Sequence, residues 1–135
     1  MPLFHVWFGT KFRQEALQDE RREFVLTTFK HVAAEHEIDL IESDAQFDHV
    51  HMLLRAVEEP DLSRKMMLLK GISAREVFLR EPELRLSMQT LVFYQKSFGR
   101  REVPEDQIET VRQYIRTQLD VRSVTDSNAI NDSRI

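Results

Sequence analysis

From Arg13 to Glu37 the chain contains neither glycine nor proline, and Leu17, Phe24, Val25, Thr28, Val32 and Ala33 recur there at helical spacing with charges between them. Nothing in such a stretch breaks a helix, and its one apolar stripe has to be buried. It predicts a long amphipathic helix that needs a partner layer. The segment before it supplies one: Phe4, Val6 and Phe8 alternate with His5, Trp7 and Gly9. A run so rich in aromatic and branched side chains predicts a strand from about Pro2 to Lys11 with both faces at least partly buried.

Two further strands are expected at Ile38 to Ser43 and Phe47 to Val57, paired antiparallel across the polar break Asp44-Ala45-Gln46. Pro60 and Asp61 signal a helix start. Leu62, Met66 and Leu69 carry that helix's apolar face to about Arg80, through Gly71, and Pro82 stops it. Leu91 to Phe98 reads as a fourth strand and Gly99 to Val103 as a polar connector. Pro104, Glu105 and Asp106 suit a first helical turn, because proline loses no needed N–H there and acids favour the positive end of the helix dipole. Ile108, Val111, Ile115 and Leu119 mark one apolar stripe on that last helix.

The order strand, helix, strand, strand, helix, strand predicts an α+β fold, a ferredoxin-like antiparallel sheet (βαββαβ) with an additional C-terminal helix. At 135 residues one compact domain is expected, over residues 1–120, followed by a polar, loosely ordered tail at 121–135.

The chain has no cysteine, which excludes a disulfide framework and a thiolate metal site and favours a reducing, cytoplasmic setting. Any metal has to be held by histidine, carboxylate or amide oxygen. The opening residues lack a leading basic region, and no apolar run approaches the roughly 20 residues that span a bilayer, so neither a signal peptide nor a membrane partner is expected. A net charge of -4 argues against a broadly basic nucleic-acid surface. Most of the basic residues are arginine, the side chain suited to bidentate phosphate contact, although a solvated surface uses arginine as well.

Two short elements carry chemistry. In Phe47-Asp48-His49-Val50-His51-Met52 two histidines flank one apolar residue, so on a strand His49 and His51 project from one face while Val50 points the other way. Two adjacent imidazoles are half a metal site, and an isolated pair of this kind also arises by chance. In Val111-Arg112-Gln113-Tyr114-Ile115-Arg116-Thr117-Gln118, Tyr114 and Gln118 are four apart and share a helical face beside the apolar stripe. Taken alone, Tyr114 is equally a boundary residue whose ring packs and whose hydroxyl is wet.

Together these elements resemble the single-tyrosine HUH transposases of small bacterial insertion sequences and their relatives associated with repetitive extragenic palindromes. The opening Phe4-His5-Val6-Trp7-Phe8-Gly9-Thr10-Lys11-Phe12-Arg13 is similar to that family's first strand, which ends in Thr-Lys-aromatic-Arg, and Leu69-Lys70-Gly71-Ile72-Ser73-Ala74-Arg75 is similar to its second-helix segment. The resemblance runs from about residue 2 to 120. It implies that His49, His51 and Gln118 hold a divalent metal, Mg²⁺ or Mn²⁺, and that Tyr114 is the nucleophile. It implies an enzyme that cuts and rejoins single-stranded DNA through a 5′-phosphotyrosine, with no nucleotide cofactor, acting on hairpin element ends as a homodimer. Lys11, Arg13, Lys70 and Arg75 are the candidate DNA contacts, each of them equally an ordinary surface charge. Where the family has a tryptophan-rich strand this chain has Leu91 to Phe98, with Tyr94 at the tryptophan's position and as the one rival nucleophile. The alternative reading is a domesticated, non-cleaving relative that binds hairpin DNA, which would have no reason to keep all four of His49, His51, Tyr114 and Gln118.

Overall fold

The computed structural model of the protein describes residues 1–117. Its elements are β1 (Leu3–Gly9), α1 (Asp19–Glu35), β2 (Leu40–Gln46), β3 (His49–Arg55), α2 (Glu59–Arg80), α3 (Leu84–Met88), β4 (Gly99–Val103) and α4 (Ile108–Arg116). The strands form one sheet in the order β2-β3-β1-β4 with every neighbouring pair antiparallel. This is the expected ferredoxin-like arrangement, with the extra C-terminal helix present as α4.

The period of two divides the sheet's side chains into two cores. Phe4, Val6 and Phe8 of β1 and Val50, Met52 and Leu54 of β3 point to the side covered by α1 and α2, where they meet Val25, Phe29, Leu62, Met66 and Leu69. On the opposite side Leu3, Leu53 and Val103 meet Val111 and Ile115 of α4. The second core is small. It holds one short helix over the middle of the sheet, and that helix carries Tyr114. Arg112 and Arg116 of α4 reinforce the docking by donating to Glu42 at 3.3 and 3.1 Å.

Three local expectations are corrected. The polar triplet Asp44-Ala45-Gln46 belongs to β2, and the hairpin turns instead at Phe47-Asp48, between Gln46 and His49, which are paired in register. Phe47 takes the left-handed region there, with φ 54, a conformation unfavourable for a bulky side chain. Two backbone hydrogen bonds with Leu17, of 2.8 and 3.1 Å, hold it. Secondly, α1 begins only at Asp19, because the chain first makes a tight turn at Lys11–Arg13 with Phe12 and Arg13 at φ 60 and 52.

Thirdly, the last strand is not Leu91 to Phe98 but Gly99–Val103, the segment expected to be a connector. Phe93 and Tyr94 are consecutive and both buried, which a pleated strand with one buried face does not permit. They plug the end of the core, with the Tyr94 ring 5.1 Å from that of Phe8, and pair with backbone only at an isolated bridge between Tyr94 and Thr10, just past β1. β4 is an edge strand, so its solvent side needs no apolar alternation, and Arg100, Arg101 and Glu102 are what an exposed edge tolerates.

The segment from Leu69 to Arg75 fixes this irregular stretch. Lys70 donates to the carbonyls of Gln95, Lys96 and Ser97 at 2.8, 3.2 and 3.2 Å, and the Ser73 and Tyr94 hydroxyls share a 2.8 Å hydrogen bond. Among the described residues no helix is long and apolar enough to cross a membrane. Residues 118–135, and with them Gln118, Leu119 and the expected tail, lie outside the described residues.

Candidate functional site

β3 runs beside β1 in a register that sets Trp7 opposite His51 and Gly9 opposite His49. Side chains two apart share a face, so His5 and Trp7 of β1 and His49 and His51 of β3 all project towards α4. The rings of His49 and His51 lie 5.3 Å apart, centroid to centroid. Tyr114 comes down on the same group, its ring 5.8 Å from that of His51 and 5.9 Å from that of His5. The structure therefore brings His49, His51 and Tyr114 together within one chain.

Each histidine of the pair has its Nδ1 engaged. His49 Nδ1 lies 3.0 Å from an Asp48 carboxylate oxygen, which can only accept, so Nδ1 carries a proton and donates it. Burial pushes the Asp48 carboxyl up, but its bonds to His49 and to Arg13 outweigh that and hold it below the usual carboxylate range. Arg13 Nε supplies the second of those bonds, at 3.2 Å. His51 Nδ1 lies 2.9 Å from His5 Nε2, with the two rings stacked at 5.1 Å.

Burial, with the neighbouring His5 and His49, keeps His51 neutral by pushing its pKa well below the usual value. His5 is likewise pushed down to about 4, by burial and then by the charge of Arg101. With the Nδ1 atoms of His49 and His51 both engaged, Nε2 is the nitrogen through which each ring could meet a divalent ion. Among the described residues no group of three or more histidine, cysteine or acidic side chains forms a complete metal site. The pair can hold an ion only with further ligands, and Gln118 falls outside the described residues.

The basic residues do not gather at one point. Arg13 sits behind His49 through Asp48. Lys11 and Lys70 line a cleft of about 540 Å³ between α2 and the 92–98 segment, with Met66, Met67, Lys96 and Phe98. Burial pushes Lys70 down to about 8, which leaves it charged at neutral pH while it binds three carbonyls. Arg75 is exposed on α2, 3.8 Å from Glu76.

Tyr94 is on the other side of the sheet from the histidines, 3 % exposed, with burial pushing its phenol well up despite the bond to Ser73. Replacing Tyr94 by phenylalanine should cost about 0.5–1.5 kcal/mol in denaturant unfolding, the worth of one buried hydrogen bond.

His5 and Asp48 were not singled out from sequence. Asp48 adjoins the histidine pair, and a carboxylate beside a candidate ligand was available as a signal. His5 becomes visible only once the β1–β3 register is known.

A crystal structure from Deinococcus radiodurans R1 assigned as a transposase matches with a TM-score of 0.69 and 26% identity, over 87% of this chain and 92% of that one. The structure of a REP-associated tyrosine transposase bound to a REP hairpin shares the fold at a TM-score of 0.59 and 10% identity, over 87% of this chain and 66% of that one. By sequence the chain is 26% identical over 117 residues to the ISDra2 transposase TnpA of Deinococcus radiodurans, covering 87% of this chain and 84% of the relative. It is 24% identical to the transposase for insertion sequence element IS200 of Salmonella typhimurium, over 87% of this chain and 76% of that protein. Residues 3–118 match the IS200-like transposase family, and the chain belongs to it.

Proposed function

We propose that the protein cleaves and rejoins single-stranded DNA by transesterification, with Tyr114 as nucleophile and His49, His51 and Gln118 as ligands of a divalent ion, Mg²⁺ or Mn²⁺. The observation that carries this reading is the placement of the Tyr114 ring 5.8 Å from that of His51, on the face that also presents His49. When bound, the ion supplies a positive charge that polarises the scissile phosphate and favours a phenolate.

The chain's own residues do the rest. Val111 and Ile115 anchor α4 to the sheet, so Tyr114 is presented at a fixed height above the histidines. Asp48 and His5 hold the two rings through Nδ1. The Tyr114 oxygen forms a bond to phosphorus as the bond from phosphorus to the 3′ oxygen breaks, and the phenol's proton ends on the released 3′ hydroxyl. The 5′ phosphate stays on Tyr114 until another 3′ hydroxyl reverses the step. One ester replaces another, so no nucleotide cofactor is needed.

The partner on this reading is a hairpin in single-stranded DNA, in keeping with the REP hairpin bound by the structural relative, and the protein acts in the cytoplasm as a homodimer. Lys11, Arg13, Lys70 and Arg75 are proposed to lie along the DNA path, Arg13 and Lys70 also bracing the site and the 95–97 segment. The test is incubation of the protein with single-stranded element ends and Mg²⁺ or Mn²⁺, followed by denaturing electrophoresis. A protein–DNA adduct that forms only with the ion is the expected result. Hairpin binding with no adduct under any ion would leave the non-cleaving alternative instead.

A further inference from the structure

We infer that His5 is a positioning residue for His51: the hydrogen bond between His5 Nε2 and His51 Nδ1 decides whether His51 offers an ion its lone pair or an N–H. The inference rests on the metal site proposed above.

The two histidines of the pair are held in different ways. His49 faces the Asp48 carboxylate, a pure acceptor, so its tautomer is set. His51 faces another imidazole, which can donate or accept. If His51 donates from Nδ1, its Nε2 is a bare ligand nitrogen. If His5 donates instead, His51 carries its proton on Nε2 and has no lone pair to offer.

What decides between them is the far side of His5. Arg101, opposite His5 on the edge strand β4, aims its Nε at His5 Nδ1 at 3.4 Å. An arginine only donates. With that contact made, His5 Nδ1 is the acceptor, its proton sits on Nε2, and His51 is held in the form that cannot ligate. When Arg101 lets go, His5 can carry its proton on Nδ1 and accept at Nε2, which turns His51 into a ligand. The Arg101 contact is the weaker link, long at 3.4 Å against 2.9 Å for the bond between the rings, and Arg101 is exposed whereas both imidazoles are buried. Trp7, 5.0 Å from the His5 ring, and Tyr114 close off the other sides of His5. Arg101 thus acts on His51 only through His5, which donates to His51 Nδ1 while Arg101 holds it and can accept there once released.

The experiment uses the full chain with Mn²⁺ titrated by calorimetry and the ring nitrogens of His51 followed by ¹⁵N NMR, without metal and with Mg²⁺. The unaltered protein should bind Mn²⁺ at a site lost in His49→Ala. His5→Phe, which keeps a ring but no acceptor, should weaken binding about 10- to 100-fold, the usual range for loss of a partner behind a metal-bound histidine. His5→Gln, whose amide oxygen can accept the same bond, should restore most of it. In the metal-free protein His51 should carry its proton on Nε2, moving to Nδ1 with Mg²⁺ and also in metal-free Arg101→Met.

A folded His5→Phe protein that binds Mn²⁺ as the parent does would overturn the inference, as would an unchanged His51 spectrum in Arg101→Met. If His5→Phe fails to fold, the spectra of the parent and of Arg101→Met decide. Absence of a Mn²⁺ site sensitive to His49→Ala would instead sink the underlying metal site.

Discussion

On the proposed mechanism Tyr114→Phe protein will form no covalent adduct with single-stranded element DNA, a loss on the order of a thousandfold or more in cleavage, as expected when a covalent nucleophile is removed. It will unfold within about 1 kcal/mol of the unaltered protein, because a half-buried ring is kept and only its hydroxyl goes. The contrast between those two numbers is the informative part. Val111 and Ile115 are the residues of α4 buried against Leu3, Leu53 and Val103, while Tyr114, the proposed nucleophile, packs against the same cluster only half-buried.

Hairpin binding should survive in this variant. An adduct that persists would transfer the nucleophile's role elsewhere. Mixing Tyr114→Phe with His49→Ala protein extends the same test. Arg112 and Arg116 tie α4 to Glu42 of its own chain, so the mixture is expected to stay inactive even in a dimer. Recovery of cleavage would mean that the helix exchanges between subunits and that the contacts to Glu42 give way in solution.

The placement of the candidate residues was readable from sequence where a short period governs it and hidden where register does. His49 and His51 share a face by strand alternation alone, and Tyr114 stands beside the stripe of Val111 and Ile115 by helical spacing alone, so both could be placed without knowing the fold. His5 obeys the same alternation, yet its bond to His51 joins residues 46 apart in sequence and depends on β1 lying antiparallel to β3 in one register.

The fourth strand misled for a related reason. Apolar content marks burial, and Phe93 and Tyr94 are buried, but they are buried as a plug pinned by Lys70 and Ser73. The edge strand beside them is held by backbone pairing to β1 with only Val103 deeply buried, so its charges read as a connector. Hydrophobic pattern reports what is covered; backbone pairing at an edge leaves little trace in side chains.

Gly99 is the residue in that edge strand with the least tolerance, and Gly99→Val should destabilise the protein by roughly 3 kcal/mol or more, towards the upper end for overpacking a filled site. The reason is close approach, since no glycine among the described residues has positive φ. A Cβ built on Gly99 would lie 1.9 Å from Trp7 Nε1 and 2.2 Å from Trp7 Cε2, inside the indole ring. The indole cannot swing away freely. It is 9 % exposed, its Nε1 is buried without a hydrogen-bond partner, and its ring centroid lies 5.0 Å from that of His5. Either β4 leaves β1 or Trp7 is driven against His5 and, through it, His51.

Stability and the proposed ion binding should therefore fall together in Gly99→Val, with a melting temperature lower by roughly 10 °C for a domain of this size. Combining Gly99→Val with Trp7→Leu tests the mechanism, because removing the ring removes the clash. The double variant should lose clearly less than the sum of the two single losses. Additive losses would mean that the valine is accommodated by strand separation alone, and that Trp7 does not transmit strain from the sheet edge to the histidines.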